Sequence, residues 1–152
     1  MESHKLTAAG PVCINHKDEI LLVKKGDEHG WGFTGGKVSN ELKDSSDFSK
    51  LMIQAVIIHE KNTGTDLAQL EPCSIFENHG LVLDYIEPSK NVRLVHFLFQ
   101  VPDDFLKKIT GEPKHHVLRF FSKEEIKEMQ KAGVLLPNVI KVLNVLENNN
   151  IL

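Results

Sequence analysis

"WGFTGGKVSNE", Trp31 to Glu41, decides the fold. Bulky and small residues alternate through Trp31, Gly32, Phe33 and Thr34 before the Gly35–Gly36 pair, so the segment reads as a short strand running into a tight turn. On its N-terminal side, "LTAAGPVCIN" and "EILLVKK" are β-rich runs flanking "HKD" and read as a hairpin, with "GDEHG" as the connecting loop. On its C-terminal side, "SNELKDSSD" is polar and turn-rich, and Ser46 or Asp47 can cap a helix from Phe48 to Asn62. Leu51, Met52, Ala55, Val56, Ile58 and His59 recur at helical spacing and give that helix a wide buried face. "MIQAVII" is also β-prone, but the length of the periodic run and its "NTG" ending favour the helix, with Gly64 as its stop.

Further along, "LEPCSIFEN", "GLVLDYIEP" and "VRLVHFLFQVP" are three β-rich runs, predicted to form a meander or mixed sheet. "HHVLRFF" is a last strand, and "SKEEIKEMQKAG" opens with Ser122 three residues before Glu125, a capping-box pattern. "LPNVIKVLNVLENN" is a second late amphipathic helix. The chain shows no repeat and no linker, so residues 1–152 are expected to be one α+β domain, an α/β/α sandwich with a mixed sheet between helices.

Composition narrows the function classes. The 21 acids outnumber the 18 bases and the bases are scattered, which argues against a nucleic-acid polymer as partner. Cys13 and Cys73 stand apart without a CxxC spacing and read as free thiols in a reducing, cytoplasmic setting. "MESHKLTAAG" lacks a signal-peptide core and no run is long enough to span a bilayer, so no membrane partner is expected. No HxH, HExxH or GxSxG motif occurs, which argues against a zinc site or a serine nucleophile elbow.

The Gly35 turn, Glu41 five residues beyond it, and Ala55, Thr63 and Gly64 around the helix resemble the signature of the Nudix (MutT-like) hydrolase family. That signature runs Gly, five residues, Glu, seven residues, Arg-Glu-apolar-any-Glu-Glu-any-Gly-apolar. "RFFSKEEI" resembles a segment common near the end of the family's domains, so the likeness spans nearly the whole chain. It implies a hydrolase of nucleoside diphosphates linked to another moiety, using Mg²⁺ or Mn²⁺.

Against the signature, Thr34 replaces the usual Pro before the Gly pair, and about eight additional residues, "LKDSSDFS", separate Glu41 from the helix. The Arg-Glu pair falls on Ile57 and Ile58, and the Glu-Glu pair on Lys61 and Asn62. Helical carboxylates three and four residues apart share a face and can hold one hard cation together. Ile58 supplies no oxygen, Lys61 repels a cation and Asn62 offers only a neutral amide, so the usual Mg²⁺ site is degenerate. The apolar helix face then needs a cover, from the insertion or from a partner subunit in a homo-oligomer.

The candidate residues follow from this frame. Trp31, Gly35, Gly36 and Lys37 are expected at a site for a nucleotide-type small molecule, because glycines admit close approach of backbone N–H groups to phosphate. Glu41 and Glu60 are the candidate catalytic carboxylates and, with Glu112 in "GEPKHH", the candidate metal ligands. His115 and His116 adjoin Glu112, while Glu77, His79 and Asp84 carry weaker support; His59 reads as partly buried. Two functions remain open: a divergent hydrolase with moved ligands, or a non-catalytic nucleotide- or protein-binding module.

Overall fold

The computed structural model describes residues 4–24, 30–65, 67, 70–108 and 117–152. Its centre is β1 (Leu6–Ile14), which runs parallel to β6 (Val92–Gln100) along its whole length, from Leu6 opposite Val92 to Ile14 opposite Gln100. β2 (Ile20–Lys24) folds back antiparallel on β1 and carries both β3 (Trp31–Gly32) and β7 (Val117–Phe121). β4 (Gly36–Lys37) pairs with Ala8 and Ala9 of β1, and β5 (Leu81–Glu87) closes the far edge against β6. The parallel pair among antiparallel neighbours makes the sheet mixed, as the sequence predicts.

Alternation along the two central strands sends side chains into two cores. Ala9, Cys13, Val95, Phe97 and Phe99 meet Leu51 and Ala55 of α1 (Phe48–Thr63) on one face. Val12, Ile14 and Leu98 meet Ile126 of α2 (Lys123–Lys131) and Val139, Val142, Leu143 and Leu146 of α3 (Pro137–Asn148) on the other. Helices on both faces of one sheet give the α/β/α sandwich. Cys13 is buried and Cys73 half-buried; both are free, and burial pushes the Cys13 thiol up.

The helix boundaries follow local chemistry. Asp47 accepts from the Lys50 N–H and caps α1, while Gly64 ends it in the left-handed conformation at φ 75°. Ser122 and Glu125 form the reciprocal capping box of α2, and Pro137 opens α3, where its missing N–H costs nothing.

Two expectations are corrected. "LEPCSIFEN" is not a strand: Pro72 makes an isolated bridge to Phe99, and Asn78 (φ 56°) and His79 (φ 63°) are left-handed within the turn Glu77–Gly80. A proline brings no ladder donor, and successive left-handed residues reverse a chain that a strand would keep extended. Nor does the insertion cover the outer face of α1, where Ile53 and Ile57 stay 49% and 52% exposed. It docks instead on Arg93, whose guanidinium donates to the Lys43 and Ser45 carbonyls while holding Asp84 through two bonds of 2.8 Å. Thr7 and His4 bond the same Lys43 carbonyl.

Candidate functional site

The turn that joins β3 to β4 sits hard against β1. A side chain on Gly10 would place its Cβ 1.9 Å from the Thr34 carbonyl oxygen, and one on Gly35 would come within 2.7 Å of the Ala9 carbonyl oxygen. Close backbone packing therefore requires glycine at both positions. Phe33 and Thr34 are both buried and face different histidines: the Phe33 ring lies 4.9 Å from His96, and the Thr34 hydroxyl lies 2.7 Å from His59 Nδ1.

His59 is wholly buried in α1, rather than partly buried as the sequence suggests. Its partners order one another. The Thr63 hydroxyl donates to the His59 carbonyl at 2.8 Å, so its oxygen accepts from the Thr65 hydroxyl at 2.7 Å. Thr65 then accepts from His59 Nε2–H, and Nδ1 is left to accept from Thr34. Each hydroxyl has one proton, so this direction satisfies every member with a neutral ring. Burial lowers the His59 pKa to about 4, and Phe105 stacks on the ring with centroids 6.0 Å apart.

Beside this network, α1 presents the positions where the signature has acids. Ile58 packs on the turn, its Cγ2 3.0 Å from where a Cβ on Gly36 would lie, and Asn62 Nδ2 donates to the Gly35 carbonyl at 3.2 Å. A methyl group and an amide N–H thus face the Gly35–Gly36 backbone, and neither can ligate a hard cation, which takes oxygen. The residues of this face do not fit Mg²⁺. Glu60 Oε1 accepts from the Leu67 N–H at 3.3 Å, toward the segment after the helix, while Glu41 is exposed in the 3₁₀ turn Asn40–Leu42. Among the described residues, no group of three or more His, Cys, Asp or Glu side chains is arranged to hold a metal ion. Glu112, His115 and His116 lie outside the described residues, as do residues 25–29 of the "GDEHG" loop.

On the other side of the turn a cavity of about 270 Å³ opens between the sheet and the start of α3. Its walls are Ala8, Phe33, Leu94, Tyr85 and Leu136, and the Gly35–Gly36 turn forms one edge. The polar side chains of Thr34, His96 and Asn138 also line it; Glu87, Ser89 and Lys90 come from the β5–β6 turn, where the Glu87 carboxylate already accepts from the Ser89 hydroxyl and the Lys90 N–H. Those bonds, the Ser89 hydroxyl foremost, hold the Glu87 carboxyl below its usual pKa. An apolar chamber with a few convergent polar groups is the usual form of a small-molecule site.

Of the residues singled out from the sequence, Gly35 and Gly36 line this cavity. Trp31 stands edge-on to Phe121 with centroids 4.9 Å apart and bridges to Leu135, and Lys37 is exposed at the strand end opposite Ala8; neither lines the chamber. Tyr85, His96 and Asn138 also line it, and the sequence marks the last two only slightly: one histidine on the Leu94–His96–Leu98 face of an apolar strand, and an asparagine directly after the helix-opening Pro137.

No protein-family model matches the sequence, and no curated protein matches it significantly. Solved structures do resemble it. A Nudix hydrolase from Nitrosomonas europaea superposes with a TM-score of 0.62 at 15% identity, covering 97% of this chain and 90% of its own. An Ap4A hydrolase from C. elegans, solved as a binary complex, gives 0.64 at 16% identity over 94% of this chain and 96% of its own. A MutT protein from Methanosarcina mazei Go1 gives 0.57 at 18% identity over 99% and 96%. Superposition over nearly the whole length of both chains shows that this chain has the fold of the Nudix hydrolases.

Proposed function

We propose that this chain is a divergent Nudix-family protein that binds a nucleotide-type small molecule in the cavity beside Gly35 and Gly36, and in which the family's usual Mg²⁺-dependent hydrolysis is lost or altered. The observation that carries the reading is the contact of Ile58 and Asn62 with the glycine turn, where an apolar side chain and an amide donor occupy the positions of the acids. A cation held there would lose water and gain no anionic oxygen in return. The protein's own residues still support binding, through a glycine edge, an apolar chamber and neutral polar groups. Fold alone does not decide chemistry, and the site argues for binding more directly than for turnover.

A hydrolase with relocated ligands is the second reading, using Mg²⁺ or Mn²⁺ on Glu41, Glu60 and Glu112. One experiment separates the two. The protein is incubated with nucleoside triphosphates, nucleotide-sugars and dinucleoside polyphosphates, with either cation or with EDTA, while melting temperature and products are followed. Binding without catalysis raises the melting temperature equally in EDTA and yields no product. Metal-dependent turnover abolished by Glu60→Gln would overturn the proposal and establish the enzyme.

The remaining assignments follow the same reading: a soluble, cytoplasmic protein with a small-molecule partner and no polymeric nucleic acid or membrane partner. No helix among the described residues is long and apolar enough to cross a membrane. A homo-oligomer would cover Ile53 and Ile57, which sedimentation of the purified chain would reveal.

A further inference from the structure

We propose that Lys61 binds the phosphate groups of the cavity's ligand, its ammonium serving where this face of α1 cannot hold a divalent cation. The proposal rests on the cavity being a nucleotide-type site and names the group that would neutralise the ligand's charge.

The contacts of α1 with the glycine turn place the residue. Ile58 packs against Gly36 and Asn62 Nδ2 donates to the Gly35 carbonyl, so this part of the helix runs along the turn that edges the cavity. Lys61 immediately precedes Asn62 and stands three positions after Ile58, a spacing that makes neighbours on a helix surface. Its side chain is exposed, and the flexible stem lets the ammonium swing over the turn. Lys37, exposed directly after Gly36, puts a second cation beside the same backbone. Among the described residues neither lysine has an ion-pair partner.

Charge differs between the two rims of the cavity. At the β5–β6 turn the Glu87 carboxylate, held by the Ser89 hydroxyl and the Lys90 N–H, offsets the Lys90 ammonium. At the glycine edge the flanking side chains are Ile58, Asn62, Lys37 and Lys61. The acids nearest in sequence lie elsewhere: Glu41 in the 3₁₀ turn beyond β4, and Glu60 against the Leu67 N–H. A phosphate that leaves the chamber is therefore drawn across the glycine edge. Lys61 occupies one of the two positions where the signature has its Glu pair, so attraction for a cation becomes attraction for an anion. An ammonium is a compact point charge that suits phosphate, and unlike Mg²⁺ it needs no oxygen ligands from the protein.

The test uses calorimetry in EDTA to compare ADP with adenosine, GDP with guanosine, and UDP with uridine. For the tightest pair, the diphosphate is expected to bind at least about tenfold better than its nucleoside, with the gap shrinking as salt rises. Lys61→Gln should bring that ratio below about threefold while the nucleoside binds as before. Lys50→Gln, the same change of charge in the first turn of α1, should leave the ratio intact. Equal loss in both variants would overturn the proposal, because it would report net charge and not a site. A diphosphate that binds no tighter than its nucleoside, or only with Mg²⁺, would overturn the role of Lys61 and leave the cavity as a nucleoside site. Binding of none of these compounds would overturn the cavity reading as well. The wild-type comparison needs no variant to fold.

Discussion

His59 and His96 are both buried, and both use each ring nitrogen in a hydrogen bond, yet they stand on opposite sides of the same turn and end differently. The chain through His59 closes on itself: Thr34, Thr65 and Thr63 pass their protons in one direction until the last reaches a backbone carbonyl. The chain through His96 starts at the Asn138 amide, beside a cavity, and ends on the Gly10 carbonyl. A network that closes within the core rigidifies it, whereas one that begins at a cavity wall holds only the groups it joins.

The contrast can be broken most forcefully at its closed end. His59→Leu removes the ring that serves Thr34 and Thr65 and leaves both hydroxyls buried; a loss of about 4 kcal/mol is expected from urea unfolding at pH 7. Acid should act on the same group. The folded pKa of about 4 lies below the ordinary 6.5, so between those values the unfolded chain binds a proton that the native state refuses. Stability is thus complete above pH 6.5 and falls as pH drops toward 4, by roughly 3 kcal/mol for this group, and the fall should be missing from the unfolding curves of His59→Gln.

At the open end the expected effect is smaller. His96→Leu strips Asn138 and Gly10 of their partner, but Asn138 borders a cavity that water can enter, so a loss of about 1.5 kcal/mol is expected in the same unfolding assay. Asn62→Leu removes one bond to the Gly35 carbonyl and should cost about 1 kcal/mol. If His96→Leu proved as damaging as His59→Leu, the distinction between closed and open networks would fail.

Much of the architecture is legible along the chain because it rests on local chemistry. The α1 periodicity, Asp47, Gly64 and the Ser122–Glu125 box each act within a few residues, and each marks an observed helix boundary. "LEPCSIFEN" misleads because its apolar residues mimic a strand while Pro72, Asn78 and His79 turn the backbone. The missing acids of α1 are equally readable, since a helix places them by spacing alone. The cavity is not. His96, Asn138 and Gly10 are joined by pairings of β1 with β6 and by the docking of α3, contacts made across 42 and 86 positions of sequence. Thr34 illustrates the same limit: it registers in sequence only as a lost proline, whereas its reason is a histidine 25 residues away.

The Arg93 clamp makes the segment before α1 a structural part of the sheet edge. Deleting "LKDSSDFS" would take away the Lys43 and Ser45 carbonyls and leave the guanidinium with Asp84 alone. A buried charge that loses its partners is costly, so a shorter loop is compatible with this sheet only together with a second substitution at Arg93.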